Sequence, residues 1–395
     1  MSLTCLPRRV SQCLRVLEPC FHHRHHLVFS WLLVLHLIYG DRANVKELSR
    51  HGPGHLAYQH YRRLLCAAYG CTKALLWWFA DQALQAFPPP ADGILYLISD
   101  STLKGQQGTK HPVAQKTRLS HLHPYVFGFR IVILMVQWGV YRIPVDFAWL
   151  RRKDDAKYQT ENALFRQMLR DFRPPMWCQE VVVVADAASA SRPNMALIQE
   201  LGYWYVFALP RTWKFTHGKA LKALVTHLPR WWYTRICIPT VNGQRRRTFW
   251  VYAKRVRLRH LGDVTVVLSK CRRHEGPKQT KILVTHLPEM VTARQIVAIY
   301  LRRWWVELLV KELKSVVGLG QHQVTKEVER VERSVAVAIM AYLLLLKLRA
   351  KDIPADKPWS AFRLQRAVAW EVIHAQCERS AYQIARKRLQ MGKAA

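Results

Sequence analysis

Carboxylates are scarce in this chain, 26 Asp and Glu against 61 Lys and Arg, so those that close apolar runs stand out as candidates for chemistry. Asp100 ends Gly93-Ile-Leu-Tyr-Leu-Ile-Ser-Asp100, and Asp186 ends Glu180-Val-Val-Val-Val-Ala-Asp186. Taken singly, a strand-end aspartate is a turn-former or a helix cap. Taken as a pair on adjacent strands, the two carboxylates emerge at one sheet edge and repel unless a cation lies between them; hard oxygen donors of this kind suit a divalent ion. A third carboxylate comes from the stretch Thr292 to about Val317, read as one long helix. With Tyr300 at 0°, a turn of 100° per residue puts Arg303 at about −60°, Glu307 at about −20° and Lys314 at about −40°. Leu301, Trp305, Leu308, Leu309 and Val316 fall at about 80° to 180°, an apolar face that must be buried. Read alone, the charged stripe is a solvated face with an i,i+4 pair worth about 0.3 kcal/mol. The two aspartates turn it into a chemical one. Glu312, at about +120°, is a poor third carboxylate, and Asp92, Asp146, Asp154, Asp155 and Glu180 read as structural.

The elements that must carry these residues follow from patterning. Residues 1–90 lack strand alternation and end at Phe87-Pro-Pro-Pro90, a stiff breaker, which reads as an N-terminal helical domain. Three strands with short connectors, Gly93 to Asp100, Tyr125 to Val136 and Tyr141 to Trp149, imply antiparallel neighbours. A polar helix from Tyr158 to Phe172 precedes the β-branched run ending at Asp186, of the kind that fills a sheet centre. A helix from Asn194 to Leu201 and a strand from Trp204 to Leu209 complete a first core part, 91–210. Residues 211–290, rich in Arg and Trp, read as a β insertion with strands at Trp231 to Pro239, Arg247 to Arg257, Val264 to Ser269 and Lys281 to His286. The second core part, 291–350, holds the long helix, capped by Thr292 and stopped at Gly318-Leu-Gly320, and a second helix from about Thr325 to Arg349. The basic tail is 351–395.

The net charge of +35 and a pI near 10.3 call for a polyanionic partner, DNA or RNA, in a chain whose 50% hydrophobic fraction supports a real core. Nine cysteines without a C-x-x-C pair argue for free thiols in a reducing cytosol and against a disulfide framework or structural zinc. The apolar stretch 27–39 is too short to span a bilayer and reads as a buried helix. No membrane partner is expected.

The spacing Tyr300-x2-Arg303-x3-Glu307-x6-Lys314 resembles the Y-R-E-K signature of bacterial cut-and-paste transposases of the insertion sequence 4 class, complete in all four positions. Asp100-Ser101-Thr102 and Val184-Ala-Asp186-Ala187 are similar to the two aspartate motifs of that family, in the same order, and the resemblance spans about 91–350. It implies an α/β fold, a ribonuclease H-like catalytic core interrupted by the β insertion. It further implies a DDE triad of Asp100, Asp186 and Glu307 holding two Mg²⁺ ions, with Mn²⁺ as a substitute. Double-stranded DNA is the implied partner, as transposon terminal inverted repeats and as target, bound by a homodimer in a synaptic complex. Water would free a 3′-OH at the element end, which joins target DNA, with or without a hairpin. Tyr300, Arg303 and Lys314 would hold phosphates near the cut end. Lys104 and Lys110, close after the first aspartate, and Arg245, Arg246 and Arg247 in the insertion are further phosphate candidates. Trp231, Trp232, Trp250 and Tyr252 could stack a base or serve as core, and patterning does not choose among them. A nuclease of the same fold, and a basic nucleic-acid-binding protein without catalysis, are the alternatives. The latter leaves the placement of the three carboxylates unexplained.

Overall fold

The computed structural model describes residues 6–21, 23–40, 44–66, 72–105, 114–119, 123–240, 245–321, 327–350 and 360–391. Five helices come first: α1 (Arg8–Arg15), α2 (His23–Ile38), α3 (Val45–His51), α4 (Tyr58–Cys66) and α5 (Thr72–Ala86). Four strands follow, β1 (Ile94–Gly105), β2 (Gln115–Leu119), β3 (His123–Trp138) and β4 (Tyr141–Leu150), then α6 (Glu161–Asp171), β5 (Glu180–Ala185), α7 (Arg192–Glu200) and β6 (Trp204–Ala208). The helix α8 (Leu221–His227) leads into β7 (Thr234–Pro239), β8 (Arg246–Leu258), β9 (Gly262–Lys270) and β10 (Lys281–Thr285). The chain closes with α9 (Ala293–Leu301), α10 (Trp304–Val316), α11 (Val328–Arg349) and α12 (Ala361–Met391).

All ten strands form one sheet. β3 pairs antiparallel with β1, β2 and β4, and β1 then pairs parallel with β5, which pairs parallel with β6. The order β4-β3-β1-β5-β6 therefore holds three antiparallel strands and two parallel ones. β5 is buried along Val181–Ala185, as its unbroken β-branched run predicts. The strands of the insertion do not form a separate layer. β10 pairs antiparallel with β6, and β9, β8 and β7 continue outward from it.

Two expectations need correction. The single helix from 292 to 317 is two: Arg302 and Arg303 interrupt it between α9 and α10. Residues 1–90 do not pack as a self-contained body, since α2 and α5 lie against α11, α5 also covers β4, and their buried side chains belong to the same core cluster as those of the sheet. α11 is fully buried from Val335 to Leu346, with α2, α4, α5, α10 and α12 around it. The apolar stretch 27–39 is the buried α2, and among the described residues no helix is long and apolar enough to cross a membrane.

Candidate active site

β1 carries Asp100 in its interior, five residues before its end, rather than at its terminus. Asp186 follows β5 directly. The parallel register sets Ile98 opposite Val184, and two more residues along each strand bring Asp100 and Asp186 side by side. Each carboxylate has one oxygen held by backbone. Asp100 Oδ1 accepts from Ser101 N at 2.8 Å, and Asp186 Oδ1 accepts from Ala188 N at 2.9 Å and Ser189 N at 3.3 Å.

Glu307 reaches the pair from the first turn of α10. Between it and Asp100 stands Arg303, whose guanidinium donates to Asp100 Oδ2 at 3.4 Å and to Glu307. Burial raises the pKa of Asp100, and the charges of Asp186 and Glu307 add to the rise, while the Ser101 N–H and Arg303 oppose it. Burial works against the charge on Arg303, yet its hydrogen bond to Glu307 and the charges around it raise its pKa. Asp100 thus feels both other carboxylates, and Arg303 bridges it to Glu307. Among the described residues no group of three His, Cys, Asp or Glu stands close enough together to hold a metal as it is. Arg303 occupies the position a cation would take between Asp100 and Glu307.

The break before α10 is what lets Arg303 point there. Arg302 turns the other way, stacking on Tyr96 with its guanidinium 4.1 Å from the ring centroid and donating to Gln137 Oε1 at 2.8 Å. Across the break Tyr300 still lies close to Arg303, acting on its charge and lining the same cleft. It is buried, and Lys281 of β10 donates to its hydroxyl at 3.5 Å. Lys314 donates to the carbonyl of Leu103 at 3.1 Å, and burial lowers its pKa. The buried face of α10 is Val306, Leu309, Glu312, Leu313 and Val316, whereas Trp305 and Leu308 are only half-buried.

A cleft of about 1410 Å³ opens beside Arg303, between α9, the start of α10 and the ends of β7 and β8. It gathers Tyr300, Arg302, Arg303, Arg245 and Arg247 with two cations outside the first reading, Lys281 and Arg294, and with Trp304 and Trp305; no acidic residue lines it. Those two were hidden because only the strand order brings β10 and α9 against the β7–β8 edge. Arg246 faces a second, smaller cavity with Arg235 and Arg294. Lys104 is buried at 3% exposure, with its ammonium 5.5 Å from the Phe129 ring centroid, so it does not offer the phosphate contact expected from its position. Lys110 lies outside the described residues. Of the aromatic candidates, Trp231 and Trp232 are exposed, and Trp232 packs against Tyr252 with ring centroids 5.7 Å apart.

The sheet thus sets Asp100 and Asp186 near Glu307, and Arg303, which bonds Asp100 and Glu307, also lines the basic cleft. Residues 153–344 match the family model described as a transposase DDE domain, a range that includes Asp186 and Glu307 and begins after Asp100. Among solved structures, the piggyBac transposase in a synaptic complex with hairpin DNA is similar, with TM-score 0.50 and 11% identity over 91% of this chain and 73% of that one. No curated protein matches. The family match covers just under half of the chain, and the structural likeness, at 11% identity, is one of fold.

Proposed function

We propose that the protein cuts transposon ends and joins the freed 3′-OH ends to target DNA, with Asp100, Asp186 and Glu307 as its catalytic carboxylates. The observation that carries the reading is that Arg303 bridges Asp100 and Glu307, with the Asp186 charge acting on Asp100, beside a cleft lined only by basic, polar and apolar groups. The strand order β4-β3-β1-β5-β6 supports a ribonuclease H-like core of the insertion sequence 4 class. The donor set fits a divalent ion: it is all carboxylate oxygen, and a cation already sits between two of its members. Asp100, Asp186 and Glu307 would hold two Mg²⁺ ions, or Mn²⁺, which supply charge stabilisation to both oxygens of an in-line displacement at phosphorus.

The remaining work falls to the chain's own groups. Arg303, once drawn off its carboxylates, offers a planar fork to a phosphate at the cut end, while Lys314 and Tyr300 flank it. Arg245, Arg247, Lys281 and Arg294 align the backbone of the end in the cleft and raise its local concentration. Water attacks the phosphodiester and releases a 3′-OH. The same site then presents that hydroxyl to a target phosphate, directly or after a hairpin is made and opened. Two ends imply two copies of the chain in the DNA complex, acting in the cytoplasm on the nucleoid.

The test uses duplexes bearing the inverted repeats that flank the reading frame. The wild-type protein should nick them with Mg²⁺ and join a 3′-OH end to plasmid. Glu307→Gln should bind the duplex as wild type does and lose both steps by at least about a hundredfold, the usual scale for a group acting on the transition state. Nicking without joining would leave a nuclease. Magnesium-dependent nicking retained by Glu307→Gln would remove Glu307 from the site.

A further inference from the structure

We propose that Arg142 and Glu312 are positioning residues that set the rotation and height of α10 and thereby aim Glu307 at Asp100. The inference rests on the reading of Glu307 as a site carboxylate. Arg142 lies on β4 and is 2% exposed. Its guanidinium grips Glu312 with two bonds, Nη2 to Oε1 at 2.7 Å and Nε to Oε2 at 3.3 Å. Tyr342 of α11, fully buried, donates its hydroxyl to the same Oε2 at 2.7 Å. Burial raises the Tyr342 pKa and the Glu312 charge adds to it, so the phenol stays a donor.

Arg142 touches α10 twice. Besides the fork to Glu312, its guanidinium lies 4.9 Å from the centroid of the Trp305 ring. Positions 305 and 312 are seven apart, two turns, and so share one face of the helix. Glu307 is five residues before Glu312, about 140° around the helix and about 7.5 Å along it. Fixing the 305–312 face against β4 therefore fixes where Glu307 points. The aliphatic residues Val306, Leu309 and Leu313 hold the helix to the core, but packed aliphatic contacts tolerate sliding and rotation that a forked ion pair does not. A buried pair of this kind is weak evidence for stability, since apolar replacement of every member is often neutral or better. What it supplies is register. Catalytic geometry is intolerant of small errors in register.

The experiment separates register from stability. In Arg142→Met/Glu312→Leu/Tyr342→Phe every member of the network becomes apolar, so no buried charge or hydroxyl is left unpaired. The readouts are circular dichroism, duplex affinity, and Mn²⁺ binding to the DNA-free protein followed by electron paramagnetic resonance of the free ion. The triple variant should fold, bind duplex as before, and show an Mn²⁺ dissociation constant raised about ten- to hundredfold, as when a metal site loses the groups that orient its ligands. Tyr342→Phe alone should shift it in the same direction by less. A folded triple variant with wild-type Mn²⁺ affinity overturns the proposal. If the triple variant does not fold, wild-type affinity in Tyr342→Phe overturns it. Glu307→Gln is the control on the underlying reading: if it leaves Mn²⁺ binding unchanged, both the reading and the proposal fall. If it weakens binding while the network variants do not, only the proposal falls.

Discussion

Arg303→Ala should strengthen metal binding while it weakens catalysis. In the free protein the Arg303 guanidinium bonds both Asp100 and Glu307, so an incoming cation must displace it. The Arg303 and Asp100 side chains retain 20% and 30% exposure, and that of Glu307 36%, so solvent screens both pairs and each is worth about 0.5–1 kcal/mol rather than a buried-pair value. Together they set a displacement cost of about 1–2 kcal/mol, which corresponds to roughly a five- to thirtyfold lower Mn²⁺ dissociation constant in the alanine variant. The same change removes one of the groups that opposes the rise in the Asp100 pKa, so the carboxyl titrates higher still and the gain in Mn²⁺ affinity should shrink as the pH falls and Asp100 takes up its proton. Electron paramagnetic resonance of free Mn²⁺, without DNA, measures it. Cleavage of end duplexes should fall, because the phosphate contact is gone. Weaker Mn²⁺ binding in Arg303→Ala would refute the reasoning, since it would make the arginine a support of the metal site rather than its competitor.

Burial lowers the Lys104 pKa from 10.5 to about 8, so the unfolded chain holds the proton more tightly. Stability should therefore rise between pH 8 and 10.5 by an amount on the order of 3 kcal/mol, and urea unfolding of Lys104→Met should lack this rise. Gly40 meets the backbone of Val316 and Val317 so closely that an added methyl has no room; Gly40→Ala should cost about 3 kcal/mol in urea unfolding, while Gly54→Ala, with open space around it, should not. Binding to random duplex should fall with log[salt] at a slope near −0.9 per contact, about −5 to −9 for roughly 6–10 phosphates; a slope near zero would exclude the cleft as a backbone-binding surface.

What patterning made legible is most of the sheet strands and the main helices, though β2 and α8 left no signal and several ends differ by three to five residues, together with the positions of the three carboxylates that the proposed function uses. β5 was readable because a sheet-centre strand is apolar throughout, and Asp100 and Asp186 because acids are rare in so basic a chain. The break at Arg302–Arg303 was not, since Leu301-Arg-Arg-Trp304 contains neither Pro nor Gly. Its cause lies across the fold, in Tyr96 and Gln137 on one side and the carboxylates on the other. Nor was the burial of Lys104, which follows from β1 continuing past Asp100. Extended backbone keeps positions 100, 102 and 104 on one face, and a hydrophobic run that ends early in the sequence gave no sign that the strand did not. An all-round apolar α2 announces burial without saying against what; the answer, α11, lies some 300 residues away.

That distance has a consequence for synthesis. α2 is buried over Val28–Leu37 in part by α11, made some 300 residues later, so at about 5–20 residues per second a newly made α2 waits roughly 15–60 s for that surface. During that interval part of a stretch of Leu, Val, Phe and Trp is in water beside the ribosome. Until then its cover comes from earlier-made neighbours such as α4, which packs on both α2 and α11. Until residues past 349 are out, α10 rests on β1 and β4 and lacks the cover that α11 and α12 give it.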